Sequence, residues 1–264
     1  MATKRIRGIN TGYEDVGEGD PLVLVHGHPF NRSMWRDQIA EFGRRHRVVA
    51  PDLRGYGESE AVEDKTTLEE FALDIAALLD ELGLDDVALC GLSMGGQIAL
   101  EFYRLFPRRA RALMLADTFA QLDDDARRQA RYDTANRLVR EGMGLYAEEV
   151  LPKMIAPRTI SEQPEVAARV LEMMRTTPPR GAAAALRGRA ERRDYTPLLP
   201  RIAVPTLVIV GSDDEFTPVG DAEFMRDRIP GSRMAVIEGA GHMPNMEKPV
   251  EFNRVVAEFV EALN

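Results

Sequence analysis

The chain of 264 residues contains a single cysteine, Cys90, so no intrachain disulfide can form and the fold cannot depend on an oxidising compartment. Histidine is almost as scarce. His26, His28, His46 and His242 are the only four, and they lack the paired helical spacing with carboxylates that metal sites use, so neither a metal nor a cofactor is expected. There is no basic surplus: 34 Lys and Arg against 43 Asp and Glu leave a net charge of -9, which disfavours nucleic acid as a partner. The one basic run, residues 187–193, is interrupted by Glu191 and reads as a solvated helix face. No apolar stretch reaches the roughly 20 residues that span a bilayer, and residues 1–6 lack the apolar segment of a secretory signal. A membrane partner is therefore not expected, and the cytoplasm is the expected location.

What is present is an ordinary globular mixture, 44% apolar and 29% charged, long enough for one large core with an insertion. Short alternating stretches at 5–9 and 12–16 predict an antiparallel hairpin turning near Asn10. Residues 21–26 (Pro-Leu-Val-Leu-Val-His) form a continuous apolar run, the pattern of a strand buried on both faces. Further strands are predicted over 47–50, 87–92, 112–116, 206–210 and 233–237. They alternate with helices over 33–44, 67–82, 95–106, 219–228 and 249–263. Thr67 followed by Glu70 has capping-box spacing at the start of its helix. This alternation implies right-handed βαβ crossovers and a mostly parallel sheet covered on both sides, an α/β fold.

Between Phe119 and Pro200 the alternation stops. The stretch is rich in Ala, Arg, Glu and Met, is punctuated by prolines at 152, 157, 164, 178, 179 and 197, and reads as helical. The expected organisation is an α/β core from residues 1–119 and 200–264, with residues 120–199 inserted as a helical cap.

The sharpest chemical signal is Gly91-Leu92-Ser93-Met94-Gly95, a Gly-x-Ser-x-Gly pentapeptide set between a buried strand and an amphipathic helix. A serine on so tight a turn is strained and projects its hydroxyl, and glycines two residues away on either side remove the collisions that other side chains would cause. The helix N-terminus also aims free N–H groups at the negative charge that develops in acyl transfer. A hydroxyl needs a base and an orienting acid. His242, on the loop after the last predicted strand, is the expected base. Asp214 is the expected acid, with Asp213, Glu215 and Asp117 as alternatives that also sit past strand ends. Cys90 reads as a small buried hydrophobe.

The oxyanion should be held by two backbone N–H groups, that of Met94 and that of His28 in the loop His26-Gly27-His28-Pro29-Phe30. Phe30, Phe119, Phe216 and Met243 are expected to wall the substrate pocket, because each follows a strand at the catalytic edge. Trp35 is a further candidate on the same ground. Met143, Met154, Met173 and Met174 could line the pocket from the insertion or serve as core. The segment from Asp52 to Ser59 reads as a braced structural loop.

These motifs together with Glu247-Lys248-Pro249 after the histidine give the order strand, nucleophile elbow, helical insertion, acid, histidine. In that order the chain resembles the α/β-hydrolase superfamily over essentially its whole length. Within it the chain is similar to small bacterial carboxylesterases and to the 3-oxoadipate enol-lactonase-like group, from Leu-Ser-Met-Gly-Gly at the elbow and from the segment at 180–190. The resemblance implies an eight-stranded sheet, a lid of four helices, and hydrolysis of a small-molecule ester or lactone without a cofactor. Enzymes of this fold with an aspartate nucleophile are disfavoured by Ser93. A lactonase or a cofactor-free perhydrolase would use the same residues, and a ligand-binding protein on the same fold is the reading from a different class. Oligomeric state is not legible in the sequence.

Overall fold

A computed structural model describes residues 2–60 and 64–263. The chain opens with the hairpin β1 (Ala2–Ile6) and β2 (Ile9–Val16). Its turn falls at Arg7 and Gly8 rather than near Asn10, because these two residues adopt the positive φ angles (42° and 89°) that a two-residue hairpin turn demands. Then follow β3 (Pro21–Val25), α1 (Arg36–Phe42), β4 (Arg47–Pro51), α2 (Leu68–Glu81), β5 (Val87–Leu92), α3 (Met94–Leu105) and β6 (Ala110–Ala116). The helix predicted over 33–44 is divided. The Asn31 side chain accepts the N–H of Ser33 and starts a 3-10 turn at Arg32–Trp35, and only the remainder is α-helical. At α2 the capping box is formed: Thr67 Oγ1 accepts the N–H of Glu70, whose carboxylate accepts the N–H of Thr67.

After β6 the chain leaves the sheet for five helices: α4 (Asp125–Glu141), α5 (Gly144–Met154), α6 (Pro157–Glu162), α7 (Pro164–Thr176) and α8 (Pro179–Ala190). That is one more than the resemblance implied, because Pro157 and Pro164 each start a separate helix. The core resumes with β7 (Thr206–Gly211), α9 (Val219–Arg226), β8 (Arg233–Ile237), the short α10 (Pro244–Glu247) and α11 (Pro249–Glu261). None of the helices among the described residues is long and apolar enough to cross a membrane.

The eight strands form one sheet in the order β1-β2-β4-β3-β5-β6-β7-β8. It is parallel from β4 to β8, while β2 runs antiparallel to β4 and β1 antiparallel to β2. Alternation along β3 shows how the two faces are filled. Val23 and Val25 pack into the layer built by α2, α3 and α9, and Leu22 and Leu24 into the layer built by α1 and α11. Because β3 and β5 to β8 are parallel, the segments that follow them all emerge at one edge. His28, Ser93, Asp117, Asp214 and His242 lie in or just after those segments.

Candidate active site

Ser93 lies between β5 and α3 at φ 56° and ψ -115°, a conformation that costs an L-residue on the order of 1–3 kcal/mol and holds only where its surroundings impose it. They do. The Ser93 N–H donates to the carbonyl of Ala116 (2.8 Å), and its carbonyl accepts from the Thr118 hydroxyl (2.7 Å) and the N–H of Gly96 (3.0 Å). A Cβ on Gly91 would strike the carbonyl of Gly95, and one on Gly95 would strike that of Val25, so the turn admits no side chain at either position.

His242 comes to this edge on the loop after β8. Its Nδ1 lies 2.7 Å from Oδ2 of Asp214, and both residues are buried. The carboxylate is saturated. Oδ1 accepts the N–H groups of Phe216 (2.8 Å) and Thr217 (3.1 Å), and Oδ2 also accepts the Thr217 hydroxyl. Burial alone would raise the Asp214 carboxyl, but the charge and hydrogen bond of His242 and the bonds from Thr217 outweigh it and hold it below its ordinary value. The Phe216 ring packs against the imidazole with centroids 5.2 Å apart.

Ser93, His28 and His242 border one cavity of about 550 Å³ under the inserted helices. Among the described residues Ser93 Oγ has no hydrogen-bond partner. In ligand-free sites the bond between nucleophile and base is often long and tightens only with substrate bound. The loop after β3 presses against the elbow: a Cβ on Gly27 would stand 3.2 Å from Cβ of Ser93. Among the described residues the N–H groups of His28 and Met94 donate to no protein acceptor, which leaves two donors free beside Ser93.

Asp117, the alternative acid, sits at φ 45° after β6. Its Oδ1 accepts the N–H of Gly211 (2.9 Å), while Oδ2 is buried and has no partner among the described residues. One ligand atom each of Asp117, Asp214 and His242 lie within 4.8 Å of one another. Yet the imidazole bonds Asp214. Burial, and then the adjacent Asp214 charge, push the Asp117 carboxyl well above its ordinary range.

A family model described as alpha/beta hydrolase fold matches residues 20–249. The chain belongs to that family. Among curated relatives, this hydrolase is 31% identical to 3-oxoadipate enol-lactonase 2 of Acinetobacter baylyi, over 99% of this chain and 97% of the relative. Among solved structures it is similar to a thermophilic esterase from Thermogutta terrifontis with malate bound (40% identity, TM-score 0.97, covering 99% of this chain and 98% of that one). It is also similar to the enol-lactonase of Burkholderia xenovorans (28% identity, TM-score 0.92, 98% and 100% covered).

Of the aromatic and methionine residues expected to wall the pocket of the hydrolase, Phe119, Phe216 and Met154 do border the cavity. Phe30, Trp35 and Met243 do not: all three are fully buried in the apolar layer that also holds α1 and α11. Following a catalytic-edge strand fixes where a residue's backbone is, not which way its side chain turns. Met173 and Met174 belong to that same layer, and Met143 to a small cluster between α4 and α8.

The basic run is corrected as well. Arg189 and Arg192 are buried rather than solvated, because α8 lies against the core with nearly every residue covered. Arg192 stacks on the Phe119 ring (4.8 Å) and pairs with Asp123 (3.3 Å). Arg189 lines the cavity, donates from Nε to Gln97 Oε1 (3.1 Å), and has no salt bridge among the described residues. Burial and the like charges of Arg131 and Arg192 push its guanidinium well below its ordinary range.

Sequence reasoning left three contributors unassigned: Thr217, Arg189 and Tyr56. The Tyr56 hydroxyl lies 2.8 Å from His28 Nδ1. Burial, followed by the Arg189 charge, lowers His28 well below its ordinary value, so this imidazole is neutral. The loop carrying Tyr56 is braced by Asp52, which accepts from the backbone and guanidinium of Arg32 and from the N–H of Glu58.

Proposed function

We propose that this hydrolase cleaves small carboxylic esters by two-step acyl transfer on Ser93. The observation that carries the reading is the strained serine at the β5–α3 turn, facing one cavity with an imidazole whose far nitrogen is bonded to a buried carboxylate. In the first step His242 Nε2 takes the proton of Ser93 Oγ as that oxygen attacks the ester carbonyl, and Asp214 stabilises the imidazolium. The carbonyl oxygen, now anionic, accepts the N–H groups of His28 and Met94. The proton passes from His242 to the departing alcohol, leaving an acyl-enzyme. A water molecule deprotonated by His242 then attacks it, releasing the acid and restoring Ser93.

In this reading residues 120–199 act as a cap that shapes the acyl and alcohol pockets, and the enzyme works in the cytoplasm without a cofactor. Ser93→Ala, assayed on a short-chain chromogenic ester, should lose turnover by about 10⁴-fold or more with the fold retained. Mass spectrometry after a fluorophosphonate probe should find the adduct on Ser93. Undiminished turnover by Ser93→Ala defeats the reading, and an unlabelled wild-type serine favours a ligand-binding protein instead.

A second reading, a lactonase acting on an anionic lactone, is favoured by the charge of the cavity. Arg127, Arg131, Lys153 and Arg189 line it against Asp123 and Glu215, and Asp123 is already paired with Arg131 and Arg192. A cationic lining in a chain of net charge -9 suits a substrate that carries a carboxylate of its own. Enol-lactonases stand among the relatives, and the similar esterase was solved with malate, a dicarboxylate. Faster opening of carboxylate-bearing lactones than cleavage of open-chain esters would select this reading.

A further inference from the structure

The motif after the histidine, Glu247-Lys248-Pro249, has no part in the chemistry above, yet its glutamate occupies a singular place. Glu247 ends α10 and is buried. One carboxylate oxygen, Oε1, accepts the N–H groups of Gly241 (2.9 Å) and Met243 (3.3 Å), the two residues that flank His242. The other, Oε2, accepts the N–H of Ala156 (2.8 Å) and the hydroxyl of Thr159 (2.6 Å), at the start of α6 in the inserted helices. The two segments touch as well as share a carboxylate: a Cβ on Gly241 would stand 2.7 Å from the Ala156 nitrogen.

We propose that Glu247 is a positioning residue that clamps the backbone on both sides of His242 and ties that clamp to the inserted helices, so that docking of the insertion and placement of the imidazole are one event. The physical reason is economy of donors. Four N–H and O–H groups converge on one carboxylate in a site closed to water, and an anion satisfies all four where a neutral side chain satisfies only some. The arrangement is directional, because one oxygen serves each segment. Neither segment can shift without leaving an oxygen of a buried carboxylate short of donors. Burial pushes the Glu247 carboxyl above its ordinary value, and the bonds from Thr159, Ala156, Met243 and Gly241 offset only part of that rise. The loop has other anchors: Asn245 Nδ2 donates to the carbonyl of Met34 (2.9 Å), and Gln38 Nε2 donates to the carbonyl of Asn245 (3.0 Å). Loss of the Glu247 clamp therefore misplaces the imidazole without releasing α10.

This inference rests on the acyl-transfer reading, and the test separates the two. Wild type, Glu247→Gln and Thr159→Val are compared for kcat and KM on a chromogenic ester, for the rate of fluorophosphonate labelling at Ser93 by intact mass, and for thermal stability. Glutamine keeps one acceptor oxygen but turns an NH₂ toward two N–H or O–H donors. It should lower kcat and the labelling rate together by about 10- to 100-fold, the equivalent of one or two lost charge-assisted bonds, with KM within about threefold. Thr159 does not border the cavity, yet Thr159→Val should lower both rates by about threefold or more, as the loss of one bond does. A lowered melting temperature with unchanged kcat and labelling in the folded variants would reduce Glu247 to a structural role and overturn the proposal. Should Glu247→Gln not accumulate as folded protein, Thr159→Val alone decides by the same criterion. Failure of the wild type to be labelled or to turn over ester would instead overturn the acyl-transfer reading beneath it.

Discussion

His242 Nδ1 stands 2.7 Å from Asp214 Oδ2, on a carboxylate whose other oxygen is filled by the backbone N–H groups of Phe216 and Thr217. The acid is thus oriented before the imidazole meets it, and a carboxamide there would present either the wrong atom or the wrong charge. Asp214→Asn should lower kcat/KM on a chromogenic ester by about 10³- to 10⁴-fold. The same carboxyl links stability to pH. Its native value is depressed, so the stabilisation it contributes is present above the unfolded value of about 3.9 and is lost as pH falls through the lower native value. Melting temperatures from pH 5 to pH 2 should therefore fall less steeply in Asp214→Asn than in the parent.

Thr217 donates its hydroxyl to the oxygen of Asp214 that faces the imidazole. Valine keeps the shape and removes the donor, and a hydrogen bond to a charged group contributes roughly 1.5–3 kcal/mol. Thr217 also borders the cavity, but its hydroxyl is engaged by Asp214, so steady-state assays of Thr217→Val should show kcat lowered by about 10-fold with KM little changed. A KM effect alone would mean that Thr217 acts as a pocket wall.

Much of this was legible in the sequence, for particular reasons. A strand covered on both faces must be apolar throughout, so residues 21–25 and 87–92 announced themselves. Thr67 and Glu70 marked the start of α2 because a capping box has few sequence solutions. Strand ends at one edge also bring Ser93, Asp214 and His242 near one another by chain order alone. The inserted helices were harder to read. Most of α8 is covered, while Arg180 and Arg187, about two turns apart on one face, stay near solvent; Arg189 lies on the covered side, which its place in a charged run does not show. Phe30 and Met243 failed as pocket walls because chain position does not encode side-chain direction. Thr217 and Glu247 act through hydrogen bonds whose partners only the folded loops reveal.

Asp117 offers a prediction of opposite sign to Asp214. Its native carboxyl lies well above the ordinary range, chiefly through burial and then through the Asp214 charge. Below the unfolded value of about 3.9 both states hold the proton and the residue has no pH-linked effect. As pH rises from there, the unfolded chain ionises while the native carboxyl keeps its proton, so stability is lost until the native value is passed. Asp117→Asn retains the oxygen that accepts from Gly211 and cannot ionise. The variant should melt higher than the parent at pH 7.5, with the gain shrinking toward zero at pH 4. A gain of equal size at both pH values would place its origin in packing and not in the proton.

Arg189 is where stability and selectivity pull apart. Its guanidinium is buried beside Arg131 and Arg192, has Gln97 as its hydrogen-bond partner, and among the described residues forms no salt bridge to a carboxylate. An unpaired buried charge is costly, and replacing it with an apolar side chain of similar length is often neutral or stabilising. Such a cost persists where the charge serves a ligand, and in the proposed reading with an anionic substrate that ligand is the substrate's carboxylate. Arg189→Met should therefore melt no lower than the parent, because relief of the buried charge offsets the loss of the Gln97 bond. At the same time the ratio of kcat/KM for a carboxylate-bearing ester to that for its neutral amide counterpart should fall by about 10-fold, the loss of one charge-assisted bond to the substrate. Arg189→Lys, which keeps the charge and loses the planar fork, should fall between the two. Were both esters slowed equally, Arg189 would be shaping the cavity rather than reading the charge of what enters it.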